Sequence, residues 1–358
     1  MNRQPTMQEI ARELGLSRRT VSSVINAKAA ERHISNLTAQ RVIEHLRQRG
    51  YVPSKQAVAL KSGARGAVGV LHSGRLYSHL VEAFNRIVDE ASTQAAGVEI
   101  VVVPRANIAE GFRELVARGV AKIVWIQTAP AGDELHQPDL LLPLFAHATV
   151  VIYNHRFEEP AWDRRLAEAG AYMVGVDRAA AYEKQALFLK RLGHQCVAFP
   201  EVHSSQLFAP LNVKIQMFRK HGIEVALTHP DRTQFASTTE SATAMAHGLL
   251  AAMKKQPITA AVFQDDLVAG LAMAELARHG IAIPGDLTVN GFDGLEITQI
   301  TTPTLTSLRI PVAAMVDCVL KILETPPERR RHCFDIEIVP GGSHARAKQE
   351  PLTPRRKP

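Results

Sequence analysis

The chain has 358 residues, 46% of them hydrophobic and 22% charged, and its formal net charge is +7. One ordinary hydrophobic core does not hold a chain of this length, so we predict at least two domains in a globular protein. No stretch reaches the roughly 20 uninterrupted apolar residues that a membrane span needs, and the first residues contain no apolar signal segment. We therefore predict a cytoplasmic protein that makes no membrane contact.

The positive charge lies at the two ends of the chain. Residues 1–66 contain 12 lysines and arginines against 4 acidic residues, and residues 344–358 contain 5 against 1. Residues 67–343 contain 25 against 30 and are slightly acidic. We therefore expect a polyanion such as nucleic acid to bind at the ends of the chain rather than in its middle.

The N-terminal residues show the apolar spacing of helices. Thr6 is a favourable N-cap and Gly15 a favourable stop, so we predict a helix between them. Ser17 is placed to cap a second helix after a short turn. The residues predicted to face inward from these two helices are Met7, Ile10, Ala11, Leu14, Val21, Val24 and Ile25.

A third helix is predicted from about Thr38 to Arg49, with Ser35 or Asn36 as its cap and Gly50 as its stop. Its predicted inward-facing residues are Val42, Ile43 and Leu46. Three short helices with a short turn between the first two are typical of a helix-turn-helix domain, whose second helix enters the major groove of DNA.

The second predicted helix carries polar and basic residues at the end that would enter the groove. Arg18 and Arg19 open this helix, and an arginine can pair with the O6 and N7 atoms of guanine. Hydroxyl groups and Asn26 are better suited to phosphate. The predicted DNA-contacting residues of this domain are Thr6, Ser17, Arg18, Arg19, Thr20, Ser22, Ser23 and Asn26. The alternative is a generic small helical bundle with a solvated basic face.

From residue 67 onward, short β-branched runs alternate with helical stretches. Runs without polar alternation predict strands that are buried on both faces of a parallel sheet. The first series of predicted strands covers residues 67–72, 98–103, 122–127 and 148–154. The second series covers residues 172–177, 195–200, 223–228, 258–264 and 287–292. Two such series predict an α/β fold with two doubly wound lobes and a cleft between them.

Ligands of doubly wound sheets bind beyond the carboxyl ends of the strands, so polar residues there are candidates for a small-molecule site. These candidates are His72 to Tyr77, Gln127, Asn154, Asp177, Asp265, Asp266 and Asp293. Carboxylate and amide oxygens can accept hydrogen bonds from the hydroxyl groups of a ligand. Asp266 and Asp177 have an alternative role, because each could cap the helix that follows it.

The order of several short motifs resembles the LacI/GalR family of transcriptional repressors. The motifs are Thr6-Met-Gln-Glu-Ile-Ala11, Leu14-Gly-Leu-Ser17, Thr20-Val-Ser22, Val24-Ile-Asn26 and Tyr51-Val-Pro53-Ser54, followed by Thr259 to Leu267, Val289 to Asp293 and Thr302 to Thr306. The resemblance implies a sequence-specific repressor whose operator affinity is controlled by a small-molecule effector. The predicted domains are a helix-turn-helix (1–50), a hinge helix and linker (51–65), a two-lobed periplasmic-binding-protein-like domain (66–343) and a disordered basic tail (344–358).

The resemblance also assigns roles to single residues. It implies that Leu60 of the hinge is a wedge between base pairs in the minor groove, with Lys61 near phosphate. The alternative is that Leu60 merely caps a linker. The implied effector contacts are Asn154, Asp265, Asp293 and the aromatic Phe235, to which the argument from strand ends adds Tyr77 and Gln127.

The resemblance bears on assembly and ligand as well. Tetrameric members of the family carry a C-terminal leucine heptad helix, and residues 341–358 contain no such repeat, so we predict a homodimer. A two-fold dimer matches a pseudo-palindromic operator in double-stranded DNA.

The segment 27–34 is longer than usual in the family. Pro210 and Val213 stand where many sugar-sensing members have an arginine and a glycine, so we predict a sugar or sugar derivative without the usual arginine donor.

Two other classes of protein share doubly wound lobes. If the chain were an enzyme, the Asp265-Asp266 pair would be its candidate site. However, the chain contains no GxGxxG, GxxxxGK[ST], HExxH or GxSxG motif. We therefore predict neither catalysis nor a cofactor or metal. A periplasmic solute carrier would need a signal peptide and has no use for a helical N-terminus. Binding of a palindromic duplex would distinguish a regulator from both.

Overall fold

The computed structural model describes residues 7–25, 31–48, 66–74, 76, 78–94, 97–104, 107–128, 138–157, 159–200, 208–228 and 237–348. The chain divides into two compact units. The N-terminal unit contains residues 1–67 and 94–97, and the α/β unit contains the others. No helix in the described ranges combines the length and the hydropathy that crossing a membrane requires.

The described helices of the N-terminal unit are α1 (Met7–Leu14), α2 (Arg18–Ile25) and α3 (Asn36–Gln48). Gly15 ends α1 with a φ of 67°, a left-handed conformation that glycine adopts without strain. Ser17 Oγ accepts a hydrogen bond from the Thr20 backbone N–H at 3.0 Å and caps α2. Ser35 caps α3 in the same way through the Thr38 N–H at 3.2 Å. These three predictions from the sequence are confirmed.

A small hydrophobic core holds the three helices together. Its fully buried residues are Ile10, Ala11, Val21, Val24 and Val42, with Met7, Leu14, Ile25 and Leu46 packed around them. The prediction that Ile43 also faces inward is wrong, because 43% of that side chain is exposed. Adjacent helical residues point about 100° apart, and Val42 occupies the inward direction.

In the described residues of the α/β unit the strands form two six-stranded sheets. The strands are β1 (Val68–Ser73), β2 (Val98–Val103), β3 (Lys122–Ile126), β4 (Thr149–His155), β5 (Tyr172–Val176), β6 (Cys196–Pro200), β7 (Glu224–Thr228), β8 (Ala260–Val262), β9 (Thr288–Asp293), β10 (Thr306–Arg309), β11 (Arg331–Phe334) and β12 (Glu337–Val339). The strand orders are β11-β5-β4-β3-β1-β2 in the first lobe and β12-β10-β9-β8-β6-β7 in the second. Strand pairs are parallel except β10 with β12. The predicted two-lobed α/β fold is confirmed.

Helices connect and cover the strands. The described helices of this unit are α4 (His79–Gln94), α5 (Ile108–Ala117), α6 (Pro138–Leu141), α7 (Pro160–Glu168), α8 (Arg178–Arg191), α9 (Phe208–Lys220), α10 (Thr238–Met253), α11 (Asp266–Arg278), α12 (Ile297–Ile300) and α13 (Val312–Glu324). The chain passes between the lobes before α8, again between β10 and α13, and again between β11 and β12. Because α13 packs on β4 and β5, the first lobe is completed by residues from both ends of the unit.

Two strands differ from the predictions. The sequence predicts residues 172–177 as the opening strand of the second lobe, whereas β5 pairs with β4 through Met173 and Ile152 and belongs to the first. The alternation of strands and helices is the same on both sides of this crossing, so it does not mark the boundary. The sequence also predicts that β2 is buried on both faces. It is an edge strand instead, with Ile100 and Val102 exposed by 46% and 57%.

The predicted disordered tail begins too early. Residues 344–348 are held against the second lobe, where the Ala347 backbone N–H donates to the Leu192 carbonyl at 2.9 Å. Lys348 Nζ also lies 2.8 Å from Asp286 Oδ1. The prediction is wrong for this segment because its partners are distant in sequence and leave no local periodicity. The rest of the tail lies outside the described residues.

Candidate functional site

The outer face of α2 presents the two predicted base-reading arginines. Arg18 and Arg19 are the first residues of this helix, and both side chains are exposed. Val21 and Val24 are buried in the core of the unit, so one face of the helix is held inward while both arginines stay exposed. A helix N-terminus also carries a positive partial charge that attracts phosphate. The helix therefore has the arrangement required for insertion into a major groove.

Hydroxyl groups near the start of α2 are hydrogen-bonded within the helix. The hydroxyl groups of Ser17 and Thr20 lie 2.8 Å apart, and Ser23 Oγ donates to the Arg19 carbonyl at 2.9 Å. Ser22 also has a partner. A phosphate offers only acceptors, so each hydroxyl would have to turn its hydrogen outward to reach one. The other predicted DNA contacts, which lie outside the described residues, are Thr6, Asn26, Leu60 and Lys61.

Five polar side chains meet where the two lobes face each other, and we call them the inter-lobe cluster: Ser78, His79, Asn154, Arg178 and Asp293. Ser78 Oγ donates a hydrogen bond to Asp293 Oδ2. His79 Nδ1 lies 2.8 Å from Asp293 Oδ1, although without the in-line geometry of a hydrogen bond. On the other side of the imidazole, Nε2 lies 3.3 Å from Asn154 Oδ1, to which Arg178 Nη2 donates at 3.5 Å. These contacts join the ends of β4 and β9 across the two lobes.

Four of the five side chains of the inter-lobe cluster are almost fully removed from solvent, whereas Ser78 is partly exposed. Relative exposure is 4% for Asn154, 5% for His79 and Asp293, and 9% for Arg178. The Arg178 guanidinium also lies over the Phe292 ring, 5.2 Å from its centroid. Buried polar groups need partners, so a ligand entering here must replace these contacts with its own donors and acceptors.

Three residues of the inter-lobe cluster have an unusual backbone conformation. The φ angles are 58° for Ser78, 67° for Asn154 and 108° for Asp293, all in the region that side-chain-bearing residues rarely adopt. Such conformations cost about 1 to 3 kcal/mol each and concentrate at functional sites. Their coincidence in one cluster therefore marks this place as a candidate binding site.

The position of Asn154 depends on a β-bulge. The register between β4 and β5 shifts at this residue, which leaves it without a direct partner on β5. A Cβ atom on Gly175 would lie 1.8 Å from the His155 carbonyl oxygen, so the bulge requires glycine there. Asn154 Nδ2 donates to the Gln127 carbonyl at 2.9 Å, which turns Oδ1 toward His79.

Two further carboxyl groups lie beside Asp293 at the start of α11. Asp265 caps this helix, because its Oδ1 accepts from the Val268 N–H at 2.8 Å. The alternative prediction that Asp266 is the cap is wrong. Asp266 stands one residue later, so its side chain turns inward to Ser307 Oγ at 2.6 Å. Burial raises the pKa of Asp265 to about 6 and that of Asp266 to about 7, and the charge of Asp293 acts in the same direction.

The other predicted effector residues occupy different surroundings. Gln127 is buried, with Oε1 3.2 Å from His155 Nδ1, and its amide nitrogen makes no hydrogen bond to any described residue. The other nitrogen of His155 lies 2.6 Å from Asp163 Oδ1. Asp177 caps α8 through the Ala180 N–H at 3.0 Å, which confirms the alternative role given to it. Two predicted contacts lie outside the described residues: Tyr77 and Phe235.

Ser78, His79 and Arg178 belong to the inter-lobe cluster but were not predicted. The strand-end rule selects residues that follow strands, whereas these three residues stand at the beginnings of helices. In a doubly wound lobe the helix N-termini face the same edge as the carboxyl ends of the strands. Polar residues at helix starts would therefore have been a usable signal.

Two family models match the chain in sequence order. Residues 6–54 match the bacterial regulatory proteins of the lacI family, and residues 186–343 match a periplasmic binding protein-like domain. The chain belongs to the LacI family. The predicted family is thereby confirmed, and the chain is a DNA-binding transcriptional regulator with an effector-binding type of α/β unit.

Known proteins of the LacI family are similar to this regulator along most of its length. The HTH-type transcriptional repressor PurR of Vibrio cholerae serotype O1 is 26% identical over 313 residues, which is 86% of both chains. The lac repressor dimer bound to operator and the anti-inducer ONPF has a TM-score of 0.69 at 17% identity, covering 96% of this chain and 100% of that one. The CelR–cellobiose complex has a TM-score of 0.58 at 18% identity, covering 95% and 99%. These structures share the fold, and all three proteins are regulators rather than enzymes.

Proposed function

We propose that this LacI-family regulator is a repressor that binds a pseudo-palindromic operator through α2 of two subunits. The observation that carries the proposal is the exposed arginine pair at the N-terminal end of a helix whose opposite face is fixed in a core. A relative named as a repressor and a structural neighbour bound to operator support it. Selection from random duplexes with the full-length protein is expected to enrich a two-fold symmetric sequence. Enrichment of none would contradict the proposal.

Replacing Arg18 or Arg19 with alanine is expected to weaken operator binding by about 1 to 3 kcal/mol and to relax the base preference at one position of each half-site. Binding to random DNA is expected to change little, because it depends on the total positive charge of the unit. Fluorescence anisotropy at fixed salt with operator and scrambled duplexes measures both. Arg12→Ala on α1 is the matched control, with small effects on both duplexes. Equal losses on operator and scrambled DNA would contradict base reading.

We propose a helix-turn-helix domain over residues 1–50, a hinge over 51–65 that transmits the signal, and an effector-binding domain over 66–348, which includes the segment held against the second lobe. Its strong helix formers span under three turns, so an isolated hinge helix is marginal in water. Folding against the partner subunit and the minor groove would make it respond to both, with Leu60 as the wedge and Lys61 at phosphate. Operator and effector would then alter each other's affinity by the same factor.

We propose a sugar or a sugar derivative as the effector, bound at the inter-lobe cluster. Asp293 and Asp265 supply carboxylate acceptors, while His79 and Arg178 supply donors, and the hydroxyl groups of a sugar can both donate and accept. A structural neighbour, CelR, is a cellobiose complex. We include Asn154 and Gln127 as amide contacts, and the proposed contacts outside the described residues are Tyr77 and Phe235.

A buried lysine is our candidate for the donor that the chain lacks at Pro210. Lys214 is 3% exposed, and its Nζ donates to the Val262 carbonyl at 3.3 Å, at the carboxyl end of β8. The ammonium group also lies 4.3 Å from the centroid of the Phe199 ring. Strand ends of the second lobe form one side of the cleft, so a charged donor there would favour a ligand with several hydroxyl groups or an acidic group.

We propose that the regulator acts as a homodimer, and the edge strand β2 supports this. Ile100 and Val102 project from one face of an edge, where unpaired strands are normally protected. Charging both with I100K and V102K is expected to raise the dimer dissociation constant by about 100-fold or more, because apolar contacts would be replaced by buried like charges. Light scattering and analytical ultracentrifugation measure this. The control is Leu187→Lys on α8, and unchanged assembly of the double variant would contradict this surface.

We propose that the protein regulates transcription in the cytoplasm, where its DNA target is, and that it catalyses no reaction. The support is the regulatory character of its relatives and the DNA-binding domain they share with it. The paired Asp265 and Asp266, which an enzyme hypothesis would emphasise, have structural partners that account for both carboxyl groups.

A further inference from the structure

Two histidines and a glutamate converge on the outer side of the second lobe, and we call them the α10–α11 cluster: His247, Glu275 and His279. His247 projects from α10, whereas Glu275 and His279 are one turn apart at the end of α11. His247 Nε2 lies 3.1 Å from Glu275 Oε1, and His279 Nε2 lies 3.2 Å from the same oxygen. The candidate ligand atoms of the three residues all lie within 4.8 Å of one another.

We propose that the α10–α11 cluster binds one divalent transition-metal ion of the Zn²⁺ class. Imidazole nitrogens with a carboxylate oxygen form a common ligand set for such ions. Bonds of 2.0 to 2.2 Å in tetrahedral geometry place neighbouring ligand atoms about 3.3 to 3.5 Å apart. The two observed nitrogen–oxygen separations are already close to this spacing. Small side-chain rotations are therefore enough to admit an ion.

The surroundings of the α10–α11 cluster favour a cation at this point. The two imidazole rings are half exposed, with 53% and 47% of their surfaces accessible, so an ion can enter and a water molecule can complete the coordination. The helices beneath pack on each other through buried Met245, Leu249, Ala272 and Leu276. The site also lies at the C-terminal end of α11, where the carbonyl dipoles attract positive charge.

The ordinary alternative is a hydrogen-bonded surface network that fastens α10 to α11. Arg278 Nη1 pairs with Glu275 Oε2, and this pairing is the first cause of the lowered pKa of the Glu275 carboxyl group. Arg278 thus keeps the carboxylate ionised but also competes with a metal for it. If the cluster binds a metal ion, removing Arg278 frees the Glu275 carboxylate and tightens metal binding. If the cluster is only a hydrogen-bonded network, removing Arg278 brings no tighter metal binding. Arg278 is therefore the decisive residue.

The proposed metal site is separate from the inter-lobe cluster. The two ends of α11 are about 18 Å apart for a helix of this length, with Asp265 and Asp266 at the end that faces the cleft. Among the described residues, this is the one group of three potential histidine, cysteine or carboxylate ligands in mutual reach. The ion would link α10 to α11 without using any residue proposed to contact the effector.

Calorimetric titration of the metal-free full-length protein with Zn²⁺ tests the site, with Co²⁺ absorption as a spectroscopic readout of histidine ligation. One ion per chain is expected, with no comparable signal for Mg²⁺ because that ion prefers an all-oxygen octahedral site. His247→Ala and His279→Ala are each expected to weaken Zn²⁺ binding by at least about tenfold. The matched control is His221→Ala, which breaks a histidine–glutamate pair that has no third potential metal ligand in reach among the described residues. Both target histidines are half exposed, so the variants are expected to keep the parent's melting temperature without metal.

Arg278→Gln supplies the second arm of the test. Removing this charge is expected to tighten Zn²⁺ binding by about fivefold, because a competing cation within a few ångströms of the carboxylate is lost. Zn²⁺ should also raise the melting temperature of the parent and of Arg278→Gln, but not of His247→Ala. Equal binding by the parent and both histidine variants would overturn the proposal. So would no binding by the parent, one ion per two chains, or weaker binding by Arg278→Gln.

Discussion

Replacing Asp293 with alanine is expected to lower the free energy of unfolding of the α/β unit by about 3 to 5 kcal/mol. Both Ser78 and His79 contact Asp293 from the opposite lobe. Its removal leaves a buried imidazole without its acidic neighbour and a hydroxyl group without its acceptor, and buried polar groups without partners are costly. Urea unfolding monitored by circular dichroism measures the loss.

A double-mutant cycle separates the His79–Asp293 interaction from other consequences of the change. His79→Ala removes the other partner, so the effects of the two single variants should overlap in the double variant. We expect a coupling energy of about 1 to 3 kcal/mol, as is typical of side chains in direct contact. Asp293→Asn keeps an acceptor for Ser78 but loses the charge, so its loss of stability should be smaller than that of Asp293→Ala.

A surface ion pair provides the control for this cycle. Lys184 Nζ contacts Asp335 near the third passage between the lobes, and 74% of the Asp335 side chain is exposed. Exposed pairs are screened by solvent, so Asp335→Ala is expected to change stability little. Additive effects of His79→Ala and Asp293→Ala would contradict the bridge between the lobes. The same variants bear on function, since weaker closure of the lobes would alter how an effector influences operator affinity.

The local signals of the sequence were sufficient for most of the fold. Gly15, Ser17 and Ser35 have the predicted roles because helix ends depend on a few neighbouring atoms. The buried strands were also predictable, since a strand covered on both faces must be apolar throughout. The exposed edge β2 has a similar composition, and only its place in the sheet order distinguishes it. That order is determined by tertiary pairing, which no local pattern records.

The candidate site was predicted on one side and missed on the other. Asn154 and Asp293 follow strands, so the strand-end rule selects them. His79 and Arg178 stand at helix starts and are joined to these residues only by the folding of distant segments. The sequence also suggested Asp266 as the cap of α11, whereas Asp265 is the cap and Asp266 points inward. A shift of one residue decides which carboxylate caps α11 and which points inward, and sequence patterns do not fix a helix start so closely.

The carboxyl group of Asp266 is expected to give the α/β unit a pH-dependent stability. It is fully buried, accepts hydrogen bonds from Ser307 Oγ at 2.6 Å and from the Leu295 N–H at 2.8 Å, and has Asp265 and Asp293 as acidic neighbours. Burial, assisted by the charge of Asp293, raises its pKa from the ordinary 3.8 to about 7. The native state therefore binds this proton more tightly than the unfolded chain does.

The sign of the effect follows from that difference. When the native state binds a proton more tightly, the free energy of unfolding falls as pH rises between the two pKa values, and the stabilisation is lost above the higher one. As pH rises from about 5 to about 8, the titration of Asp266 alone is expected to lower the free energy of unfolding by about 2 to 3 kcal/mol. Asp265, whose pKa is raised to about 6, contributes in the same direction.

Asp266→Asn is expected to abolish this contribution while keeping the local structure. The amide oxygen can still accept from the Leu295 N–H, and the amide nitrogen can donate to Ser307 Oγ, whose hydrogen can turn to the Leu308 carbonyl 3.3 Å away. The variant should thus lose less stability between about pH 5 and about pH 8 than the parent, by about 2 to 3 kcal/mol. Urea unfolding at several pH values measures both curves.

The difference between the two curves isolates Asp266 from the other titrating groups. Burial lowers the pKa of His72 and His194, and this lowering makes stability rise with pH, opposite to the effect of Asp266. Both histidines are present in the parent and in Asp266→Asn, so their contributions cancel in the difference. Asp265→Asn should also flatten the curve, but less, because its pKa is raised less. Parallel curves for the parent and Asp266→Asn would show that Asp266 is already ionised in the native state at low pH, and its burial would then have to be balanced by Ser307 and the neighbouring backbone donors.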